Sequence, residues 1–454
     1  MQLGGTDTAT EPRAGFAAWW MVGVLLAFYI LSYCDRIIVV MMTEQLKADL
    51  RLTDVQLSLI LGPAFALCYA VAGFPLGWAA DRLSRRWVVW GGVSVWSLAT
   101  MACGLATSFG ALFAARALVG VGEASLSPAA YSLIADRFPR RRMTTALSVF
   151  TMGPKAGAAV AYAVGAAAIT IAGTIGAVEV PGVGALKPWQ IVFAMVGGPG
   201  LLLALLCFTF REPGRRGAAA KSSASLGEFL IFAGRHRLVL GLLMVGFSLM
   251  AVTSGAVMNW VPAYMTRHFG WTAAQYGPVL SISSALAAIT LPLKGVIVDW
   301  LYARGVPDAH LRFYTWTMAF VIPVATVSAL LGGPIAYLLC IAAVEVVGLT
   351  YVLYMSAMIQ MLVPGDMRGR MTGLFLFVIT ILGMGTGPTI TASVTDYVFG
   401  DPGMVGYSIA LVSTVAMSLA LILFRISLRL IRPLIVAQRE TPSVPEPAVA
   451  TTRT

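Results

Sequence analysis

Long apolar runs recur along the whole sequence, and no other feature constrains its fold as strongly. A helix needs about 20 mainly apolar residues to cross the hydrocarbon core of a bilayer. Charged residues make up only 11% of the chain, whereas they make up about 25% of a soluble domain. We therefore predict an all-α, multi-pass membrane protein with twelve spans near residues 16–43, 54–80, 87–108, 110–136, 143–174, 187–210, 237–266, 273–301, 312–332, 334–362, 371–399 and 404–431.

Basic residues are unevenly distributed between the connections of these runs. The connections after even-numbered runs hold most of the arginines, and the alternate connections hold few, with Lys47, Arg51, Lys187 and Arg267 as the main exceptions. By the positive-inside rule, we expect both termini in the cytoplasm. The same rule accounts for the net charge of +11, so we predict no nucleic-acid partner. The Ala, Gly and Arg bias favours a bacterial inner membrane as the location.

A polar stretch over residues 211–236 separates the first six runs from the last six. We predict that residues 1–210 form an N-terminal six-helix bundle and residues 237–432 a C-terminal one, joined by this stretch as a cytoplasmic linker. The tail, residues 433–454, is polar and is expected to be disordered. The second half repeats part of the first, because "GWAADR" after run 2 corresponds to "GVIVDW" after run 8. Parallel repeats are typical of transporters that bind substrate between two bundles.

Several classes of function lack their sequence signals. The five cysteines fall within apolar runs without CxxC spacing, so we predict neither a disulfide framework nor a zinc site. No G-x-x-x-x-G-K-[ST] phosphate loop occurs, which argues against ATP as the energy source. No nucleophile and base pair is evident either. We predict that the protein is not an enzyme and needs no cofactor and no metal.

The stretch "GWAADRLSRR", residues 77–86, resembles the signature loop between helices 2 and 3 of the major facilitator superfamily, G-x-x-x-D-R-x-G-R-[RK]. The sequence departs from that pattern at Ser84, where glycine is usual. A glycine allows close helix approach, and an aspartate can cap a helix N-terminus or pair with a base. The resemblance implies a conformational latch that favours the outward-facing state and that is formed by Gly77, Asp81, Arg82, Arg85 and Arg86.

Further stretches of the first half resemble the Spinster branch of this superfamily. They are "YCDR" in run 1, "RALVGVGEASLSPAA" at 116–130 and "SLIADRFPRRRMTTALSVF" at 132–150. The second half matches only at the level of the superfamily. "GPKAG" at 153–157 is similar to the antiporter motif but lacks its upstream glycine ladder. Spinster-like proteins are proton-linked transporters of lysolipids and sphingoid lipids, so the resemblance implies an amphiphilic, lipid-like substrate.

Four charged residues are predicted to meet inside the first bundle. Asp35 and Arg36 lie about 28 Å along run 1 from its start, and Arg116 lies about 30 Å above the end of run 4 at 1.5 Å per residue. Glu123, about two turns from Arg116, projects from nearly the same face. We predict that Glu123 and Asp35 couple protons. Arg116 and Arg36 are predicted to be their partners and to be candidate binders of an anionic head group. The alternative is a static ion network that only fixes helix packing.

Other polar or aromatic residues within runs extend the predicted site. Lys155 follows a Gly-Pro pair and is expected to face a cavity, whereas Lys294 either does so or snorkels to the surface. Glu345 is either a second proton site or the partner of Lys294. Tyr351, Tyr354 and Met358 would share one helix face and line an apolar compartment. The predicted substrate-binding residues are thus Arg36, Arg116, Lys155, Glu345, Tyr351 and Tyr354.

These features lead to one main hypothesis about function. We predict a monomeric, proton-coupled secondary transporter of lysophospholipid or sphingoid lipids that works by alternating access, as symporter or antiporter. Its partners would be a small amphiphilic or anionic substrate, protons and membrane lipids. The alternatives are a transporter of a soluble organic anion or drug and a non-transporting receptor. The second half has few polar residues within its runs, among them Asn259, Glu345 and Gln360, which favours the lipid hypothesis over the soluble anion.

Overall fold

The computed structural model describes residues 15–182, 184–215, 225–364 and 367–440. Within these ranges it has twelve helical segments that are long and apolar enough to cross a membrane, which confirms the predicted number. We number them span 1 to span 12 in chain order: Phe16–Met41, Asp54–Arg82, Arg85–Gly104, Phe109–Arg137, Thr145–Ile175, Pro188–Phe208, Arg237–Phe269, Ala273–Ala303, Ala309–Leu330, Pro334–Leu362, Arg368–Phe399 and Pro402–Arg432.

Shorter elements connect some of the spans. A helix, Thr43–Leu50, follows span 1, and an antiparallel hairpin of strands β1 (Val178–Val180) and β2 (Gly184–Leu186) precedes span 6. Another helix, Leu226–Arg235, occupies part of the predicted linker, and residues 216–224 lie outside the described residues. The helix of span 12 continues to Glu440. It thereby enters the predicted tail, whose residues 441–454 lie outside the described part.

Spans 1 to 6 pack into one bundle and spans 7 to 12 into another. Span 1 packs along span 5 and span 3 along span 6, while span 7 packs along span 12. The bundles meet where span 5 lies against span 8 and span 2 against span 11. Because twelve is even, span 1 begins and span 12 ends on the same side of the molecule. We call this the terminus side and the other the opposite side.

The two bundles approach each other closely towards the opposite side, at glycines. A Cβ atom at Gly62 of span 2 would lie 2.8 Å from the Gly385 carbonyl oxygen and 3.1 Å from that of Met384, both in span 11. A Cβ at Gly277 of span 8 would lie 2.9 Å from the carbonyl oxygen of Tyr162 in span 5. Contacts this short are almost never made by a real Cβ, so both close approaches need glycine.

Ion pairs also gather on the opposite side. Arg267, at the end of span 7, donates to both carboxylate oxygens of Asp54 at 2.6 and 2.8 Å and to Glu44 Oε1 at 2.8 Å. Lys47 Nζ lies 2.6 Å from Asp54 and Lys187 Nζ lies 2.9 Å from Asp49. Three of the four basic exceptions to the positive-inside pattern are therefore paired with acids, and Arg267 joins the two bundles.

Several spans are not continuous α-helices. Span 4 ends one helix at Glu123 and begins another at Leu126, and span 5 is interrupted at Met152, before Gly153 and Pro154. Spans 10 and 11 contain π-helical turns, which are Val344–Gly348, Thr380–Gly385 and Val394–Phe399. Such turns leave main-chain carbonyl groups open to other donors and are frequent at functional sites. Two of the predicted site acids, Glu123 and Glu345, lie at these interruptions.

Candidate functional site

The structure brings Arg36 of span 1 to Glu123 of span 4. Arg36 Nε donates to Glu123 Oε2 at 2.9 Å, and Nη2 donates to the same oxygen. The two side chains are only 10% and 1% exposed. A charge-assisted pair this deeply buried is held by its mutual attraction, because each charge alone would be costly to bury. We call Asp35, Arg36, Arg116 and Glu123 the first-bundle cluster.

Aromatic rings surround the guanidinium group of Arg36. Its central carbon lies 4.3 Å from the ring centroid of Phe65, 4.8 Å from that of Tyr33 and 5.5 Å from that of Tyr69. Each ring presents its negative face to the cation, which stabilises the charge in this buried position. The rings come from spans 1 and 2, and the sequence patterns did not predict them as part of the site. Arg36 is thus held by one carboxylate and three rings.

Asp35 and Arg116 are equally buried but far less satisfied. Each side chain belongs to a residue that is 2% exposed. Neither oxygen of Asp35, nor Arg116 Nε, nor Glu123 Oε1 makes a hydrogen bond of regular geometry among the described residues. The hydroxyl groups of Thr100 and Ser32 nevertheless lie close to Asp35 and Glu123 respectively. Asp35 is near enough to Glu123 and Arg116 to interact with both by charge. Consecutive helical residues point about 100° apart, which is why Arg36 reaches Glu123 while its neighbour Asp35 faces elsewhere.

A second group of polar side chains joins the two bundles, and we call it the interbundle cluster. Lys155 Nζ of span 5 lies 2.9 Å from Glu345 Oε1 of span 10. Ser284 Oγ donates to the same oxygen at 3.0 Å, and Ser283 Oγ donates to Oε2 at 2.7 Å. Both oxygens of Glu345 are therefore occupied. The two serines of span 8 were not predicted, although a Ser-Ser pair within an apolar run was a usable signal.

Lys294 of span 8 turns into the second bundle rather than to the membrane surface. It is a buried residue, and its Nζ donates to the carbonyl oxygen of Val346 and, at 3.2 Å, to Thr350 Oγ1. Tyr314 donates to the carbonyl oxygen of Gly348 at 3.0 Å. These donors occupy carbonyl groups in the π-helical turn Val344–Gly348. Lys294 is thus a main-chain partner of span 10, and Glu345 pairs with Lys155 instead.

The predicted aromatic face of span 10 is largely in the core of the second bundle. Tyr354 and Met358 are each 1% exposed, and the Tyr354 ring stacks on Tyr314 with centroids 4.4 Å apart. Tyr351 is 8% exposed and lies near Tyr33 of the first bundle. Of the predicted pair, Tyr351 is the one placed towards the interface between bundles. Contact of either ring with a substrate stays a prediction.

Arg85, the first residue of span 3, makes the main contacts of the signature stretch 77–86. Its buried side chain pairs with Asp136 at the end of span 4, donates to Ser132 Oγ at 2.9 Å and reaches Glu212 Oε1 at 3.1 Å. Ser84 also donates to Glu212. The serine at the position where the superfamily usually has glycine thus binds the segment that follows span 6. Burial alone raises the pKa of Glu212, but the hydrogen bonds from Ser84 and Arg85 outweigh it and hold the pKa below its usual value.

The other predicted latch residues make fewer contacts than Arg85 does. Asp81 is exposed and has no partner among the described residues. Arg82 stacks on Trp78 with its guanidinium carbon 4.6 Å from the ring, and Arg86 lies 5.4 Å from the ring of Phe208. At Gly77 a Cβ would lie 4.0 Å from Pro128 Cβ, an ordinary contact. In this conformation neither a helix cap by Asp81 nor a need for glycine at position 77 is seen.

Metal-ligand geometry is not found in the part of the chain that the structure describes, where no group of three His, Cys, Asp or Glu side chains could hold an ion. The polar groups instead form buried acid and base pairs within and between bundles. Such an arrangement can bind an anionic group at its bases and accept a proton at its acids.

Comparison with known proteins places these features in context. A family model described as Major Facilitator Superfamily matches residues 24–388. The chain is 26% identical over 421 residues to an MFS-type efflux pump of Mycolicibacterium smegmatis, covering 90% of this chain and 92% of that protein. It is 22% identical over 374 residues to the D-galactonate transporter of Escherichia coli, covering 77% and 82%.

Relatives with Spinster names match a shorter stretch. The chain is 29% identical over 253 residues to Protein spinster homolog 1 of Xenopus tropicalis, covering 54% of this chain and 45% of that protein. It therefore spans about half the length of this relative. A crystal structure of a bacterial homolog to the human lysosomal transporter Spinster, in an inward-facing and unoccupied conformation, matches with a TM-score of 0.76 at 21% identity, covering 97% and 100%. A peptide transporter POT bound to sulfate matches at 0.68 and 17%, covering 93% and 98%.

Proposed function

The chain belongs to the Major Facilitator Superfamily, and from this premise we propose that it is a proton-coupled secondary transporter of amphiphilic lipids of the lysophospholipid or sphingoid kind. That it is a multi-pass membrane protein with the fold of a small-substrate transporter is plain from its spans and its relatives. The lipid substrate, the proton coupling and the alternating-access cycle are the proposal.

The observation that carries this proposal is the buried Arg36–Glu123 pair beside Asp35, whose carboxylate makes no regular hydrogen bond. A proton on Glu123 removes the negative charge that holds Arg36, and the guanidinium group can then bind the anionic head group of a substrate. The reverse also holds, because a head group on Arg36 releases Glu123 to accept a proton. Asp35, close by charge to both Glu123 and Arg116, provides a second acceptor. Binding of proton and substrate is thereby linked.

The interbundle cluster would couple substrate binding to separation of the two bundles. Lys155 and Glu345 belong to different bundles, so their bond must break when the bundles separate there. An anionic head group that binds Lys155 replaces Glu345 and lowers the cost of that separation. Apolar and aromatic side chains of the second bundle, with Tyr351 and Tyr354 among them, would accommodate the acyl chain.

The orientation and the latch belong to the same proposal. We assign the terminus side to the cytoplasm of a bacterial cell and the membrane to its inner membrane, because the basic connections lie on that side. The bundles are joined at the opposite side by Arg267 and the glycine contacts. In this assignment the described conformation is closed to the outside. Asp81 then joins the latch only when the cytoplasmic side closes, which fits an exposed Asp81 here, whereas Arg85 is already bonded to Asp136 and Glu212.

Two relatives favour the alternative of a soluble organic anion or drug. They are the transporter named for D-galactonate and the efflux pump, both of which match over more of their length than the Spinster homologue does. Arg36 and Arg116 would then bind a carboxylate. The two substrates differ in one measurable respect, because a lipid tail gains about 0.8 kcal/mol for each methylene that is buried.

Purified protein in liposomes with an imposed pH gradient tests both parts of the proposal. Lysophospholipids of increasing acyl length are the substrates, and D-galactonate is the soluble comparison. We expect gradient-dependent lipid flux and an affinity that rises about fourfold for each added methylene. An affinity that is flat over several methylenes, with flux of the soluble anion, would establish the alternative. Flux that ignores the gradient would exclude proton coupling.

A further inference from the structure

The helix Leu226–Arg235 carries apolar side chains that the protein leaves uncovered, although it lies outside all twelve spans. Leu226 is 64% exposed, Leu230 59% and Ile231 72%. Exposed apolar side chains on the spans face acyl chains, but this helix precedes span 7 and has no such explanation. A cluster of large exposed apolar residues outside the spans marks a contact surface.

The position of this helix is well defined. Ser225 and Glu228 form a capping box, in which Glu228 N donates to Ser225 Oγ at 3.1 Å and Ser225 N donates to the Glu228 side chain. Arg370, near the start of span 11, donates to the carbonyl oxygen of Ser225 at 3.1 Å. Phe229 is buried, and His236 alone separates the helix from Arg237, where span 7 begins. The helix is therefore tied at both ends to the terminus side of the second bundle, at the membrane boundary.

The residues divide into faces along this helix. Leu226 and Leu230 are one turn apart and share a face, and Ile231 extends this apolar surface to about 140° around the helix. Arg235 and Glu228, seven residues apart, follow directly beyond Ile231. Arg235 and Arg237 are exposed, and Glu228 is the one acid of the helix. An apolar face bordered by arginines, at the boundary of a bilayer, is complementary to a surface of anionic phospholipids.

We propose that the helix Leu226–Arg235 is an interfacial anchor that binds the anionic phospholipid surface of the leaflet on the terminus side. Leu226 and Leu230 lie among the upper acyl chains, and Arg235 and Arg237 contact phosphate groups. These are resident lipids of the bilayer rather than transported substrate, so the site is separate from the first-bundle and interbundle clusters. Its partner is the charged lipid surface itself.

The depth of the helix is tested by fluorescence of the full-length protein in nanodiscs. In a background with the five native cysteines replaced by alanine, Leu230→Cys and, as the matched control on the other face, Glu228→Cys are labelled with NBD. We expect the label at 230 to be quenched by lipids with a nitroxide high on the acyl chain and protected from iodide, and the label at 228 to show the reverse. Equal quenching of both labels overturns the anchor.

The lipid preference is tested by native mass spectrometry of the protein released from nanodiscs of equal phosphatidylcholine and phosphatidylglycerol. We expect the Arg235→Gln/Arg237→Gln variant to retain at least about threefold fewer phosphatidylglycerol molecules than the wild type. Arg304→Gln, an exposed arginine at the end of span 8 on the same side, is expected to retain nearly the wild-type number. Retention that does not differ between the double variant and the wild type overturns the assignment of anionic head groups to these arginines.

Discussion

The first-bundle cluster and the interbundle cluster are built from the same kinds of residue but differ in what they join. Arg36 and Glu123 belong to spans of one bundle. The second oxygen of Glu123 and both oxygens of the nearby Asp35 make no regular hydrogen bond. Lys155 and Glu345 belong to different bundles, and both oxygens of Glu345 are occupied. A network within one bundle can change its protonation without relative motion of the bundles. A network between bundles cannot survive their separation.

This contrast assigns different tasks to the two clusters under the proposed function. The incompletely bonded cluster is suited to gain or lose protons, because an unsatisfied buried carboxylate has little to lose on protonation. The fully bonded cluster is suited to hold one conformation, because each of its bonds adds to the energy that opening must overcome. Each of the following substitutions tests one side of that contrast.

The largest expected effect is that of Glu123→Gln. The substitution keeps the shape of the side chain but removes the proton site and the charge that binds Arg36, and we expect gradient-driven flux to fall about tenfold or more, since hydrogen bonds to charged groups contribute about 1.5–3 kcal/mol. Asp35→Asn removes the second predicted proton site, so gradient-driven flux should fall in this variant too. The distance between the bundles, measured by electron–electron double resonance, is expected to stay the same. A wild-type response to the pH gradient in both variants would leave the static ion network as the better account.

Lys155→Gln should change the distance between the bundles, which Glu123→Gln is expected to leave unchanged. Loss of the bond to Glu345 removes a link between bundles, and we expect the equilibrium between conformations to shift by about tenfold, consistent with about 1.5 kcal/mol for a charged hydrogen bond. Distance distributions between spin labels on spans 5 and 10 measure that shift directly. If the distribution is unaltered while proton-driven flux is lost, the interbundle cluster is a proton site and the contrast between the two clusters fails.

Substitution of a span 8 serine should have a smaller effect on the same distance between bundles. Ser283→Ala removes a hydroxyl group that donates to Glu345 but leaves Lys155 in place, so we expect a shift of a few-fold in the same distance distribution, in line with about 1 kcal/mol for an ordinary hydrogen bond. Ser328→Ala is the matched control, because its hydroxyl donates only to the local Ala325 carbonyl oxygen. Equal behaviour of the two variants would mean that Ser283 does not position Glu345.

The smallest effect is expected at a third group of charges, outside the membrane, where Glu212 binds Ser84 and Arg85. The pKa of Glu212 is lowered in the folded protein, so its bonds stabilise the fold above about pH 4.3, the usual value for a glutamate, and this contribution is lost as the pH falls through the lowered pKa. Glu212→Gln should therefore lower the thermal midpoint slightly at pH 7. The difference from wild type should shrink as the pH falls below 4, and a constant difference would contradict the assignment.

The sequence was sufficient for the number, order and length of the spans, because each depends only on composition over about 20 residues. It also predicted that Asp35, Arg36, Arg116 and Glu123 are buried. It did not predict which base meets which acid, because that depends on the face of each helix and on the interruption of span 4 after Glu123. The bond between Arg85 and Glu212 joins residues 127 positions apart. No local pattern encodes such a pair.

In the proposed alternating-access cycle, the contact between Gly62 and Gly385 affects how fast the two bundles close on each other. An interface between bundles that is built from long side chains must immobilise them each time it closes, and the lost rotamer freedom costs up to about 2 kcal/mol for each side chain. Glycine has no side chain to immobilise, so this part of the interface closes without that entropic cost. The contact is also sensitive to substitution, because a single methyl group there would keep the two backbones apart. We therefore expect Gly62→Ala to slow the proposed cycle although it alters no charge.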